Sequence, residues 1–212
     1  MTGLNAVSAL YFSVTHAAIT ISEYRVPPPR NSLPTYRIYI CCRDPSDLPT
    51  LFPLLDAYAS CNFSDIETLH FDVDLFTDQR LNVDVFRFLA RLHSVKSLLY
   101  SNEGTIPSLH SLARDSLDAD ETSGVVPASL FPHLHTIKVD SARSNLSSYI
   151  TSPKEVPLEL VQLQQVLSKF VIWRRVLQHP IQVVDITDLG AAAIVGIFDG
   201  IEGLQVIIRT EP

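Results

Sequence analysis

Ile66-Glu67-Thr68-Leu69-His70-Phe71 reads apolar-x-x-apolar-x-apolar. The pattern returns as Leu134-His135-Thr136-Ile137-Lys138-Val139 and as Ile181-Gln182-Val183-Val184-Asp185-Ile186. Its last two apolar positions are two residues apart, so they share one side of an extended chain and the residue between them takes the other. Each copy follows a helix-like stretch or a Pro-containing turn. A strand that recurs once per unit, always after a crossover segment, predicts a parallel sheet built by stacking units side by side.

The second apolar position of each cassette gives the markers Ile19, Ile38, Leu69, Leu98, Ile137, Val184 and Ile207, spaced from 19 to 47 residues apart. Regular leucine-rich repeats run about 20–29 residues, so the spacing predicts degenerate units with insertions. The expected fold is α/β: a leucine-rich-repeat-like solenoid with a curved parallel sheet of about six or seven strands and outer helices. Strands are expected near 18–22, 36–42, 67–72, 96–100, 135–139, 182–187 and 204–209.

Helical spacing fills the gaps. Leu48, Leu51, Leu55 and Tyr58 form one stripe, and Val85, Phe88, Leu89 and Leu92 a second. Leu160, Leu163, Leu167, Phe170 and Trp173 or Arg174 form the third and longest, from Pro157 to Pro180. An Ala-rich helix is expected over Gly190–Phe198. Residues 1–35 read as an N-terminal strand-like capping segment containing Pro27-Pro28-Pro29, and 36–212 as the repeat domain. Two stretches interrupt it. Residues 101–127 are acidic, with Gly and Pro, and 141–157 are Ser-rich; both read as surface insertions.

Composition limits the function. Of 212 residues, 46% are hydrophobic and 18% charged, so a sizeable core can form. The net charge of −7, with no basic run longer than Arg174-Arg175, argues against nucleic acid as a partner. Those arginines are expected to pair with acidic neighbours, and Trp173 to pack its helix. Cys41, Cys42 and Cys61 are odd in number and lack zinc spacing, so buried reduced thiols in the cytoplasm or nucleus are expected. Leu4–Ile21 lacks a basic leader and is broken by Ser8, Ser13, Thr15 and His16. Leu189–Phe198 is too short to cross a bilayer, so no membrane is expected as a partner.

Three motifs invite chemistry. His133 and His135 share a face if extended and could ligate a metal with Asp140 or His110. The simpler placement has His133 in a turn and His135 on the exposed sheet face. Val183–Gly190 before an Ala-rich stretch has the form of a phosphate-binding turn, without the full glycine fingerprint and with Asp185 and Asp188 repelling the ligand. No Gly-x-Ser-x-Gly elbow or Gly-x-x-x-x-Gly-Lys loop occurs. No catalytic residue, cofactor or metal ligand is assigned. The alternative is a small α/β nucleotide- or metal-binding enzyme around Asp185–Gly190.

The residues between the apolar strand positions would form an outward row: Tyr39, His70, Leu99, Lys138, Asp185 and Ile208. Glu67, Asp72, Lys96, His135, Thr136, Asp140, Gln182 and Thr187 flank it. Aromatic, aliphatic and both charged types suit a protein partner.

Asp65–Asp74 (DIETLHFDVD), Phe131–Asp140 (FPHLHTIKVD) and Val171–Asp188 (VIWRRVLQHPIQVVDITD) resemble the C-terminal leucine-rich-repeat-like region of fungal, basidiomycete F-box proteins, as does the closing Ile201–Ile207. The resemblance covers most of residues 36–209. It implies the substrate-recognition region of a Skp–cullin–F-box ubiquitin ligase, which is not itself an enzyme. Residues 1–35 show no leucine- and proline-rich helical pair of the F-box kind, so the Skp adaptor is not expected to bind. The expected partner is an unidentified protein.

Overall fold

The structure, a computed structural model, describes residues 8–15, 18–25, 36–41, 50, 53–58, 63–74, 83–100, 105, 106, 108, 130–139, 158–187 and 195–208. Among these, eight strands form one sheet. They are β1 (Ser8–Thr15), β2 (Ala18–Arg25), β3 (Tyr36–Cys41), β4 (Ile66–Asp74), β5 (Ser97–Tyr100), β6 (Thr136–Val139), β7 (Val183–Asp185) and β8 (Gln205–Ile207). Three helices accompany them: α1 (Leu54–Tyr58), α2 (Val83–Ala90) and α3 (Leu158–Val176). The strand order is β3-β2-β1-β4-β5-β6-β7-β8.

From β4 to β8 every pairing is parallel, as the cassettes predict. The N-terminal part differs. β1, which lay outside the predicted strands, pairs parallel with β4, but β1–β2 and β2–β3 are antiparallel. Chain length explains this. Two residues separate Thr15 from Ala18, and ten separate Arg25 from Tyr36. A parallel return needs a crossover of a dozen residues or more, so such short links reverse the chain.

The x-x step of the cassette has a structural cause. Residues three apart fall on opposite faces of a regular strand, yet Ile66 and Leu69 are both buried. Against β1, Ser8 faces Ile66 and Ala9 faces Thr68, so Glu67 is an extra, bulged residue. The device recurs down the sheet. The N–H groups of His135 and Thr136 both donate to the Lys96 carbonyl, each at 3.1 Å. Those of Gln182 and Val183 both donate to the His135 carbonyl, at 2.8 and 3.0 Å. Two residues opposed to one is a β-bulge, which returns the third residue to the first one's face.

One side of the sheet is therefore a set of buried rows. Leu10, Leu69, Leu98, Ile137, Val184 and Val206 are register partners, with Phe12 beside Phe71 and Ile21 in the neighbouring row. Helices cover this side. Val85, Phe88 and Leu89 of α2 and the following Leu92 are buried as their spacing predicts. Phe88 lies 4.9 Å from Phe12 and 5.7 Å, edge-on, from Phe63, while Phe12 stacks on Phe71 at 5.5 Å. These aromatics seal the seam where the antiparallel strands meet the parallel ones. Leu55 of α1 is buried and Tyr58 packs beside it on the core; Leu48 and Leu51 lie outside the described residues.

Helix α3 begins after Pro157 and buries Leu167, Phe170, Val171 and Arg174; the side chains of Leu160 and Leu163 lie outside the described set. Trp173 is half-buried and packs its ring on Phe170 at 5.7 Å. Arg174 departs from expectation. Only 1% exposed, it contacts backbone rather than an acid among the described residues. Nη1 donates to the Leu130 carbonyl (2.6 Å), Nη2 to those of Phe131 (2.9 Å) and Leu134 (3.3 Å), and Nε to that of His179 (3.1 Å). Burial pulls its pKa down to about 10, still well above neutrality, so the group is cationic. The helix closes with N–H bonds from Gln178 to the Arg175 carbonyl and from His179 to the Arg174 carbonyl, with Gln178 left-handed (φ 63°). That is a Schellman ending without its usual glycine.

Other expectations meet the described residues only in part. Thr105 and Ile106, within the supposed surface insertion at 101–127, are fully buried, and the Thr105 hydroxyl accepts the Val73 N–H at 3.0 Å. Hydrogen bonding of an edge-of-strand N–H and an apolar neighbour carry this short piece inward. Cys41, expected to be buried, is exposed at the end of β3; Cys42 and Cys61 lie outside the described residues. Of the expected Gly190–Phe198 helix, residues 190–194 lie outside the described residues, and Val195–Ile197 form a 3-10 turn. The second insertion, 141–157, lies outside the described residues. Among the described residues no helix is long and apolar enough to cross a membrane.

Two buried polar groups yield predictions. Arg174→Met leaves buried carbonyls without donors and is expected to lower unfolding free energy by about 3 kcal/mol or more. Arg174→Lys keeps the charge but loses the planar fork, and most of that stability with it. Urea denaturation measures both; a change within error in either would remove Arg174 from its structural role. Tyr100 is 1% exposed, and its hydroxyl finds no partner among the described residues. Burial pushes the phenol's pKa up from its ordinary 10.0. The neutral phenol therefore favours the fold below about pH 10, and stability falls as pH rises above it. Tyr100→Phe is expected to match or exceed the parent by about 1 kcal/mol at pH 7 and to lose less between about pH 10 and 11. Equal alkaline loss in the two proteins, followed by circular dichroism, would refute this.

Candidate binding face of the sheet

The alternation that sends Leu69, Leu98, Ile137 and Val184 inward sends the next residue of each strand outward. Register aligns His70, Leu99, Lys138, Asp185 and Ile207 in one row, and Thr68, Ser97, Thr136, Val183 and Gln205 in the row before it. His70, Leu99, Lys138 and Asp185 thus stand side by side as their sequence positions suggest. The two ends differ. Tyr39 shares this side of the sheet and is 64% exposed, but it pairs with Thr20 and lines up through Ser13 with Asp72. Ile208 falls on the other side, packed against the core, and Ile207 takes the outward place. The cause is a one-residue slip in reading the last cassette, which moves a side chain to the opposite face.

The row is electrically balanced. Lys138 Nζ lies 3.9 Å from Asp185 Oδ2, while Asp185 Oδ1 accepts the Thr187 N–H at 3.0 Å. One carboxylate oxygen therefore fixes the chain leaving β7 and the other faces the neighbouring strand. At the lead-in end, Lys96 Nζ meets Glu67 Oε1 at 2.6 Å, joining two successive bulge positions. His135 continues that series, half-buried, with Nδ1 2.9 Å from Thr136 Oγ1; Gln182 follows, exposed. His133 is exposed in the preceding turn, so the two histidines serve different surfaces; Asp140 and His110 lie outside the described residues. Asp188, Leu189 and Gly190 lie outside them too, which leaves residues 183–187 as the described part of that motif, with Asp185 engaged as above.

The accessible part of the face is limited. On β1 and β2 its serines are closed off, Ser13 at 6% and Ser22 at 0% exposure. Over β4–β8 the outward residues are half-buried to exposed, and Ile207 reaches 38%. Short hydroxyls, Leu99, Val183 and Ile207 make a low apolar floor, and Lys138–Asp185 is a charged crest crossing it. Such a surface can bury a protein patch and orient it by charge.

No protein-family model, curated protein or solved structure matches the chain.

The Lys138–Asp185 pair is long and solvent-facing, so Lys138→Ala is expected to change stability by less than about 1 kcal/mol in thermal unfolding. A larger loss would give the pair a structural role in place of a surface one.

Proposed function

We propose that this chain is a non-enzymatic protein-interaction module that holds a partner protein on the outward face of β4–β8. The observation carrying the reading is the in-register row His70–Leu99–Lys138–Asp185–Ile207 on a side left open by the helices. Parallel strands set side by side, with every helix-packed residue in one core, favour the finer reading of a degenerate leucine-rich-repeat-like solenoid. On that reading the module is kin to the substrate-recognition region of fungal F-box ubiquitin-ligase subunits, acting in the cytoplasm or nucleus. The mechanism is burial: Leu99 and Ile207 supply apolar area, and the Lys138–Asp185 crest selects a partner of complementary charge.

The test is quantitative affinity capture with face and control variants. Lys138→Glu, Asp185→Lys and Leu99→Arg are expected to weaken a captured partner by about tenfold each, the mark of central interface positions. Ile172→Ser, on the exposed side of α3, is expected to retain it. Capture that survives all three face substitutions and fails with Ile172→Ser would place the site elsewhere.

A further inference from the structure

A cavity of about 290 Å³ opens where the last two strands begin, between the end of α3 and the turn before β8. Its origin is a defect in the repeat. Register places Ile66, Val95, Leu134 and Ile181 three residues before the buried marker of each strand, and all four are buried and apolar. In β8 that position is Gly203, whose missing side chain would have met nothing within 4 Å. Three residues earlier the series runs Phe63, Leu92 and Phe131, all buried, and then turns polar at Gln178. The cavity lies against both lost positions, Gln178 and Gly203, and its apolar walls are Val171, Pro180, Ile181 and Ile201.

Its mouth holds a cation already wearing a carboxylate. Arg175 Nη1 donates to the Glu202 backbone carbonyl at 2.8 Å, and Nη2 to the Glu202 carboxylate at 3.1 Å. The two bonds differ in permanence. The carbonyl belongs to a tight turn bounded by two left-handed glycines, Gly200 (φ 83°) and Gly203 (φ 77°). The carboxylate is on a side chain 90% exposed. A solvated ion pair of that kind is worth little, so the carboxylate can leave while the backbone keeps the guanidinium aimed.

We propose that this cavity binds a hydrophobic carboxylate: one apolar side chain fills the space of the missing repeat residues, and its carboxylate replaces that of Glu202 on Arg175. The volume stands at the bottom of the range of about 300–1,000 Å³ typical of small-molecule sites, which fits a group the size of one amino acid. A peptide C-terminus and a free N-acylated amino acid share this chemistry. The site lies on the lead-in side of the strands and is independent of the outward face.

Titration of the ¹⁵N-labelled chain, read at the Gly200 and Gly203 amide signals, tests it. N-acetyl-leucine is expected to move both signals saturably, with a Kd in the millimolar range. N-acetyl-leucinamide, with the same side chain and no charge, is expected to bind at least about tenfold more weakly. Acetate alone is expected not to saturate. Glu202→Gln removes the competing carboxylate and is expected to tighten N-acetyl-leucine by about threefold, whereas Arg175→Gln weakens it by about tenfold. A leucine-terminated pentapeptide that binds more tightly than N-acetyl-leucine, and loses this when amidated, identifies a protein C-terminus as the source; equal affinities identify the small molecule. Absent shifts, equal binding of acid and amide, or weaker binding by Glu202→Gln would each overturn the proposal.

Discussion

Two successive N–H groups answering one carbonyl is the constraint from which the parallel half of this sheet follows. The bulge at Glu67 and its relatives at His135 and Gln182 keeps apolar residues three apart on one side. Without it, Leu69 and Ile66 would oppose each other across the sheet, and one would face water. With it, each unit delivers a fixed set of side chains inward, and the carbonyl of the bulged residue becomes the acceptor for the next unit. Lys96 N–H meets the Glu67 carbonyl at 2.8 Å, and Gln205 N–H meets that of Gln182 at 2.8 Å. Register passes from strand to strand through these bonds. That is why five outward residues, far apart in the chain, come to stand in a single row.

Bulges alone do not hold the turns that feed the strands. The chain entering β6 and β7 passes through a left-handed residue at the same register position, Phe131 (φ 52°) and Gln178 (φ 63°), and Gly200 (φ 83°) continues the series before β8. Neither phenylalanine nor glutamine favours that conformation, which costs about 1 kcal/mol or more each. Arg174 offsets it. Its side chain reaches carbonyls on both sides of Phe131 and beyond Gln178, so one guanidinium ties two turns to the last turn of α3. Burying a cation is expensive, but here carbonyl dipoles and the negative end of the helix surround it. Arg174 solves in one residue what repeated glycines or asparagines would solve separately.

Sequence reading reached the parts that depend on pattern. The cassette predicted β4 to β8, their parallel sense and the helical stripe of α2, because burial on a pleated sheet imposes period 2 and on a helix period 3.6. The alternation of Leu10, Phe12 and Val14 is the same signal for β1 and was there to read. In the N-terminal part strand direction was not legible from the apolar positions, since an apolar row looks alike in both senses; the two-residue link at Thr15–Ala18 was the feature that decided it. Arg174 was hidden for a different reason. Charge arithmetic assigns an arginine to an acid, whereas the turns present only carbonyls, and their convergence is a property of three dimensions. The slip from Ile207 to Ile208 arose in the one unit whose cassette has Gly203 in place of its first apolar residue.

That incomplete unit explains why the chain offers two surfaces of different character. From Leu69 to Val184 the buried row is closed, while Val206 is only half-buried. Each earlier strand is sealed by the apolar lead-in residues of its own turn, and the last is not. Glycine at position 203 permits the tight turn that presents Glu202 to Arg175, but it removes the side chain that would have filled the space behind. Turn geometry and core filling compete for one residue, and at the final unit the turn prevails. The outward face is then a regular product of the repeat, broad, shallow and electrically balanced, suited to a large partner. The cavity is a product of the repeat's failure, small and apolar with an ion pair at its mouth, suited to a ligand the size of the residue that is missing.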